Sequence, residues 1–258
     1  MNALVNLAGK KGLIIGMANK DSIAYGVARQ CKAAGAEIAA TYLNAKAEPH
    51  VRPLAEEVGA EIFLPCDVLQ PGQLEAVFEA VDKKWGKLDF LIHSIAFAPL
   101  QDLHGRVVDC SLDGFKMAMD VSCHSFIRMA KYSEPLMKNG GCLINMSYYG
   151  AEKVIPNYKM MGPVKAALES ATRYIALELA EKRIRALVVS PGPLRTRAAS
   201  GIQGFDALVE AAETRVPHYD ELNIDDVGSV VAFLVSDAAR SLNGHTYYVD
   251  HGLSLIGI

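Results

Sequence analysis

No run of apolar residues in this chain approaches the roughly 18 that a membrane-spanning helix needs. The longest, such as residues 12–16, are of strand length. Residues 1–9 have no basic start, no extended apolar stretch and no small-residue cleavage site, so a cytoplasmic protein is expected. Charge is also scarce. Asp, Glu, Lys and Arg make up 21% of the chain and sum to a formal −3, too mild a balance to favour nucleic acid or an anionic membrane surface. The five cysteines, Cys31, Cys66, Cys110, Cys123 and Cys142, are odd in number and widely spread. No pair has metal-ligand spacing, so reduced, mostly core thiols are expected and no metal. Repeats, low-complexity runs and interdomain linkers are missing too. What remains is 258 residues, 51% of them apolar, enough to bury a large core without disulfide or metal. The low charge suits a sheet covered on both faces.

The pattern alternates strand with helix. Apolar runs and their flanking turn residues predict strands at 11–16, 36–42, 61–65, 88–94, 142–147, 185–190 and 246–249. Helical periodicity predicts helices at 22–34, 50–58, 71–85, 157–181 and 224–234, with a long helical zone at 111–137. Gly35, Gly59 and Gly86 stand where helices end, and Pro71 where one opens. Such alternation argues for a Rossmann-like, doubly wound α/β sheet of about seven parallel strands, a single domain over 1–258. The longest irregular stretch runs from Pro191 to about Asp225 and includes a candidate lid at about 194–220.

Ligands of open α/β sheets bind beyond the carboxyl ends of strands. After the first predicted strand, Gly16, Ala18, Ser22 and Ala24 place small residues where backbone approaches a pyrophosphate at a helix N-terminus. Ser22 is also placed to cap that helix. An ordinary capped helix explains this segment equally well, since it is not a standard Gly-x-Gly-x-x-Gly. Two further strand ends have matching chemistry. Asp67, after Cys66, offers an acceptor to an adenine amino group, and His93-Ser94-Ile95-Ala96 again supplies small residues.

Tyr158 and Lys165 are seven residues apart on a predicted helix, which puts them within about 20° of one face. A phenol beside an ammonium makes an acid pair, and the ammonium also suits ribose hydroxyls. The alternative is two surface residues on an amphipathic helix. Tyr149 and Lys153 have a competing four-residue spacing, but Gly150 and Pro156 predict loop there. Tyr148, at the end of the fifth strand, reaches the same pocket.

Taken in order, these segments resemble a known family. They are Gly16 with Ser22-Ile23-Ala24-Tyr25-Gly26, His93-Ser94-Ile95-Ala96-Phe97-Ala98-Pro99, Ser147-Tyr148-Tyr149-Gly150-Ala151-Glu152, Ile155-Pro156-Asn157-Tyr158, Met161-Gly162 with Lys165, and Gly192-Pro193-Leu194-Arg195-Thr196 followed by Ala198-Ala199-Ser200-Gly201-Ile202. The chain is similar to the bacterial NADH-dependent enoyl-acyl-carrier-protein reductases, divergent members of the short-chain dehydrogenase/reductase superfamily. The seven-residue Tyr–Lys spacing is the most specific element of the match.

The resemblance implies hydride transfer from NADH to a trans-2-enoyl thioester on acyl-carrier protein, in fatty-acid biosynthesis. It implies Tyr158 as donor to the thioester oxygen, Lys165 on the nicotinamide ribose and Tyr148 as a second active-site tyrosine. Gly16, Ser22, Ile23, Asp67, Val68, Ile95, Leu194, Arg195, Thr196, Arg197 and Ala198 carry over as cofactor contacts, and Ala98 as a substrate contact. It further implies a homotetramer, with the apolar residues 253–258 buried at an interface. Leu43 stands beside the adenine ribose, where the family often has Gln. With no Arg there for a 2′-phosphate, NADPH is the less expected cofactor, Lys46 being the nearest cation. Ala96 and His251 replace family glycines, and Arg197 a usually apolar residue. Two other readings stand beside this one. A carbonyl (3-oxoacyl) reductase would use Tyr149 and Lys153, and a non-catalytic paralogue would use neither pair.

Overall fold

The computed structural model describes residues 5–196, 199–216 and 222–256. Arg197 and Ala198, expected as cofactor contacts, lie outside the described residues, as do 217–221 of the expected lid and the last two residues of the chain.

Seven parallel strands form one sheet: β1 (Lys11–Ile15), β2 (Glu37–Tyr42), β3 (Ile62–Pro65), β4 (Phe90–His93), β5 (Gly141–Met146), β6 (Ile184–Pro191) and β7 (Thr246–Val249). Their spatial order is β3-β2-β1-β4-β5-β6-β7. The winding direction reverses between β1 and β4, so their carboxyl ends flank the crevice where open α/β sheets take ligands. This is the doubly wound parallel sheet that the strand–helix alternation predicts.

The helices are α1 (Ile23–Ala33), α2 (Glu48–Glu57), α3 (Gln73–Trp85), α4 (Leu100–His104), α5 (Leu112–Met119), α6 (Ser125–Ser133), α7 (Met161–Glu178), α8 (Phe205–Arg215) and α9 (Ile224–Val235). Strand residues alternate between two cores, because successive side chains point to opposite faces. Ile14, Ile38 and Ile144 meet α1, α2 and α9 on one face. Leu13, Ile15, Leu91 and Leu143 meet α3, α6 and α7 on the other. Helices α1 and α9 pack backbone to backbone: a Cβ on Gly26 would lie 2.4 Å from the Ile224 carbonyl oxygen, and one on Gly228 2.5 Å from that of Gly26. Four of the five cysteines are buried, and all five are free. Burial pushes the Cys31 and Cys66 thiols up to about 12 and that of Cys142 to about 11, so they are packing groups rather than nucleophiles.

Several expected boundaries move. The helix expected from Pro71 starts at Gln73, because Gly72 holds φ at +83°. The helical zone at 111–137 divides into α5, a π-helical turn at Asp120–His124, α6 and a 3-10 turn at Glu134–Leu136. Such π-turns cluster at functional sites. The stretch from Pro191 to Asp225 is not irregular throughout, since it contains α8 and a 3-10 turn at Ala199–Gly201. Among the described residues, no helix is long and apolar enough to cross a membrane.

Candidate active site

The site assembles at the carboxyl ends of β1, β4, β5 and β6. Gly16 leaves β1 at φ +119°, and a Cβ there would lie 2.2 Å from the Ser94 carbonyl oxygen. Only glycine lets the end of β1 come this close to the end of β4. Ser22 takes the N-cap position of α1, but its hydroxyl does not cap the helix. It donates to the Asn19 carbonyl at 2.7 Å and accepts from the Ala18 amide at 3.4 Å. The expected cap is therefore replaced by a brace inside the loop. The first amides of α1 have no side-chain cap, and while that of Tyr25 donates to the Ser22 carbonyl, those of Ile23 and Ala24 face the turn as an anion site requires. Ile23 is half-buried beside them.

At the end of β2, Leu43 is exposed and Lys46 lies in the exposed turn that follows. Beyond β3, Asp67 accepts the Leu69 amide on Oδ1 at 3.0 Å, which orients the carboxylate. Val68 is buried, and its carbonyl accepts from Arg128 at 2.9 Å. Beyond β4, Ile95 packs against the second core. Ser122 of the π-turn brackets Phe97, accepting its amide at 2.9 Å and donating to its carbonyl at 3.1 Å. Beyond β6, Leu194 is buried in the first core, while exposed Arg195 pairs with Asp206 of α8. Thr196 accepts the Ala199 amide on Oγ1 at 3.1 Å.

Tyr158 corrects an expectation. It does not share a helical face with Lys165, because α7 begins only at Met161. Asn157 and Lys159 hold φ at +65° and +48°, in the left-handed region, so residues 157–159 form a turn that delivers Tyr158 sideways. Pro163 sits in the first turn of α7, where its missing N–H costs nothing. The Tyr158 ring is buried and meets Tyr148 edge-on at 4.9 Å between centroids. Gly150 makes room for it, since a Cβ there would lie 2.4 Å from the Tyr158 ring. Burial, with the Glu169 carboxylate nearby, holds the Tyr158 phenol far above its ordinary value, so it is a proton donor at any working pH.

Lys165 is buried on α7 and donates to the Met146 carbonyl at 2.7 Å, at the last residue of β5. Burial draws its ammonium down to about 8. Tyr149 opens a 3-10 turn at Tyr149–Ala151 and Lys153 lies in the exposed turn beyond it, so no helix joins that pair. Ala98 joins Tyr158, Leu103, Ile155, Met160, Met161 and Val164 in a third apolar cluster, with Tyr148 packed against it. Ile202 and Leu208, from the segment after β6, cover the same cluster. Two buried groups to which the sequence assigns no role meet beside Lys165. Ser147 donates to the Glu169 carboxylate at 2.5 Å, next to Tyr148 and one helical turn beyond Lys165. The four-residue step from Lys165 was visible, but on a helix it reads as an exposed ion pair.

His251 is another site where the chain departs from its expected family. It adopts φ +52° immediately before Gly252 at +85°. A glycine at that position takes the same conformation without the strain of a Cβ.

This fold occurs in known proteins. The enoyl-(acyl carrier protein) reductase family profile matches residues 16–254. The enoyl-acyl-carrier-protein reductase (NADH) 1 of Rhizobium meliloti strain 1021 is 42% identical over 250 residues, which is 97% of this chain and 92% of that protein. The crystal structure of the Anaplasma phagocytophilum enoyl-acyl-carrier-protein reductase in complex with NAD superposes with a TM-score of 0.93 at 42% identity, covering 100% of this chain and 98% of that one. The Bacillus cereus enoyl-acyl-carrier-protein reductase, crystallised with NADP+ and indole naphthyridinone, does so with a TM-score of 0.94 at 37% identity, covering 98% and 99%. Matched along nearly its whole length by the family profile and by relatives of this identity, the chain belongs to the enoyl-acyl-carrier-protein reductase family.

Proposed function

We propose that the protein reduces the trans-2 double bond of enoyl thioesters on acyl-carrier protein with NADH, as a step of fatty-acid biosynthesis. The observation that carries this reading is the buried Tyr158 phenol packed on Tyr148 in the apolar cluster that also holds Ala98. The β1–α1 turn fits a dinucleotide: Gly16 excludes any side chain there, and the α1 amides have no side-chain cap. Gly16, Ser22, Ile23, Leu43, Asp67, Val68, Ile95, Lys165 and Leu194 to Ala198 would hold the cofactor. When bound, NADH supplies a hydride for the β-carbon of the substrate. Tyr158 donates its hydroxyl to the thioester oxygen and stabilises the enolate charge that develops there. Tyr148 lines the same face, Lys165 holds ribose hydroxyls, and Ala98 lies against the acyl chain. The segment at about 194–220 acts as the substrate lid of a single 1–258 domain, with Ile202 and Leu208 on its inner side.

A cytoplasmic homotetramer completes the proposal. Exposed Tyr174 and Leu177 on α7, and Leu255 near the C-terminus, are apolar surface that self-association would cover.

NADH oxidation, followed by absorbance, separates the readings. Turnover with crotonyl thioester but not with acetoacetyl thioester is expected. The reverse preference would identify a carbonyl reductase, and turnover of neither a non-catalytic paralogue.

Turnover efficiency should favour NADH over NADPH about ten- to a hundredfold. Leu43 gives a 2′-phosphate no charge-assisted bond, which is worth roughly 1.5–3 kcal/mol. The B. cereus relative crystallised with NADP+ makes the comparison informative, and Lys46 is the residue that would reverse it. Equal use of the two cofactors would sink the expectation. Lys165→Met should weaken NADH binding, measured by fluorescence titration, as well as turnover. Unchanged affinity would remove Lys165 from the cofactor.

A further inference from the structure

The end of β5 is tied to α7 at three buried points, the first being Asn145 Nδ2, which donates to Thr172 Oγ1 at 2.7 Å. Lys165 Nζ donates to the Met146 carbonyl at 2.7 Å, and Ser147 Oγ donates to Glu169 Oε1 at 2.5 Å. Tyr148 is the next residue. Ser147, Lys165 and Glu169 are 7%, 5% and 4% exposed, so this is an interior network and not a surface ion pair. Burying an ammonium is costly unless hydrogen bonds and a nearby opposite charge offset it. We propose that Glu169 is a positioning residue of the active site: through Ser147 it clamps the strand end bearing Tyr148 to α7, and it is the counter-charge that keeps Lys165 an ammonium. This deepens the functional reading above and rests on it for the roles of Tyr148 and Lys165.

Glu169 acts on Lys165 without a direct ion-pair contact, from one turn along the same buried helix face. Facing Lys165 are His93 of β4 and Cys123 of the π-turn. Burial and the ammonium press His93 down to about 3, so the imidazole is neutral. A Cys123 thiolate would favour the ammonium more than Glu169 does, but burial raises that thiol and keeps it protonated at neutral pH. Facing Glu169 are Ser147, Glu152, Arg173, Tyr158 and Tyr248. Burial and the Glu152 carboxylate raise the Glu169 carboxyl, while the Ser147 hydrogen bond and the Arg173 and Lys165 cations hold it down. The four-residue step on α7 stacks Glu169 over Lys165.

The test reads Lys165 directly. In the full-length protein labelled with 13C-lysine, the Lys165 side-chain signal, assigned by its loss in Lys165→Met, is titrated in wild type, Glu169→Gln and Glu169→Asp. Gln keeps the volume and an acceptor for Ser147 but removes the charge, so the Lys165 midpoint should fall by about one pH unit or more. Asp keeps the charge and should hold it within about half a unit of wild type. A purely structural Glu169 predicts the reverse order, with the shorter Asp more disruptive than Gln. An unmoved midpoint in Glu169→Gln would overturn the proposal. If Glu169→Gln does not fold, the Glu169 carboxyl carbon is titrated in wild type. The proposal requires it ionised throughout the Lys165 transition, and a protonated carboxyl there overturns it. NADH affinity in the same samples should weaken as pH rises through the Lys165 midpoint, and earlier in Glu169→Gln. If the midpoint shifts as expected while Lys165→Met retains full NADH affinity, the counter-charge stands and the ribose role of Lys165 fails.

Discussion

Tyr158→Phe should lower turnover a hundred- to a thousandfold, a loss of about 3–4 kcal/mol of transition-state stabilisation. NADH binding should change little. The variant removes only the hydroxyl, and the ring that packs on Tyr148 at 4.9 Å remains. The hydroxyl matters most when charge develops on the thioester oxygen, so the effect belongs in kcat. Burial keeps the phenol protonated, so the loss should be nearly uniform with pH rather than confined to one limb of the profile. Tyr148 lies against the same cluster, and partial substitution by it would bring the loss toward the lower figure. Tyr149→Phe is the contrast. The Tyr149 ring meets Tyr148 edge-on at 4.8 Å between centroids, and removal of its hydroxyl should change turnover less than about a few-fold. Both variants are assayed with one enoyl thioester at saturating NADH. A severe loss in Tyr149→Phe, with Tyr158→Phe near wild type, would move the chemistry to the four-residue pair and revive carbonyl reduction.

Phe90→Ala should destabilise the fold by about 3–5 kcal/mol, the usual range for emptying a buried aromatic site. Phe90 is fully buried at the start of β4 and pairs in register with Gly12 of β1. Its ring occupies the space a side chain at position 12 would need: a Cβ on Gly12 would lie 2.0 to 2.7 Å from three ring atoms. Gly12→Ala alone should therefore also destabilise, by overpacking the central strand pair. The two changes should partly cancel in the double variant, because the new methyl enters the cavity left by the ring. Urea midpoints at one fixed protein concentration give the cycle, and the coupling should exceed about 1 kcal/mol in the restoring direction. Additive losses would show that ring and glycine do not share this space.

Much of the architecture is local and so was readable. The period-2 and 3.6-residue patterns located the strands to within a residue or two; β7 lies at Thr246–Val249 as expected, and α9 runs one residue beyond the expected end. The residues of the site were also readable, because Tyr148, Tyr158 and Lys165 sit in segments that resemble a family. Their geometry was not. The seven-residue spacing suggested two turns of helix, but positive φ at Asn157 and Lys159 turns Tyr158 out of α7. The ring so delivered packs on Gly150 and Tyr148, a contact that periodicity does not encode. The π-turn at Asp120–His124 was hidden for a related reason: one shifted backbone hydrogen-bond register leaves the apolar pattern almost unchanged.

By itself, the sequence determined the α/β class, the parallel winding and the family, because each follows from short-range pattern or from residues in order along the chain. The tertiary structure alone decided the rest. It brought β4 beside β1, where Gly16 meets Ser94, and so opened the crevice between them. It also buried Glu169 with Lys165 and Ser147. A Lys and a Glu four residues apart read identically on a solvated helix face and in a core. Whether the two charges face solvent or a dry interior depends on the water that β5 and the π-turn exclude, and that exclusion exists only once the chain has folded.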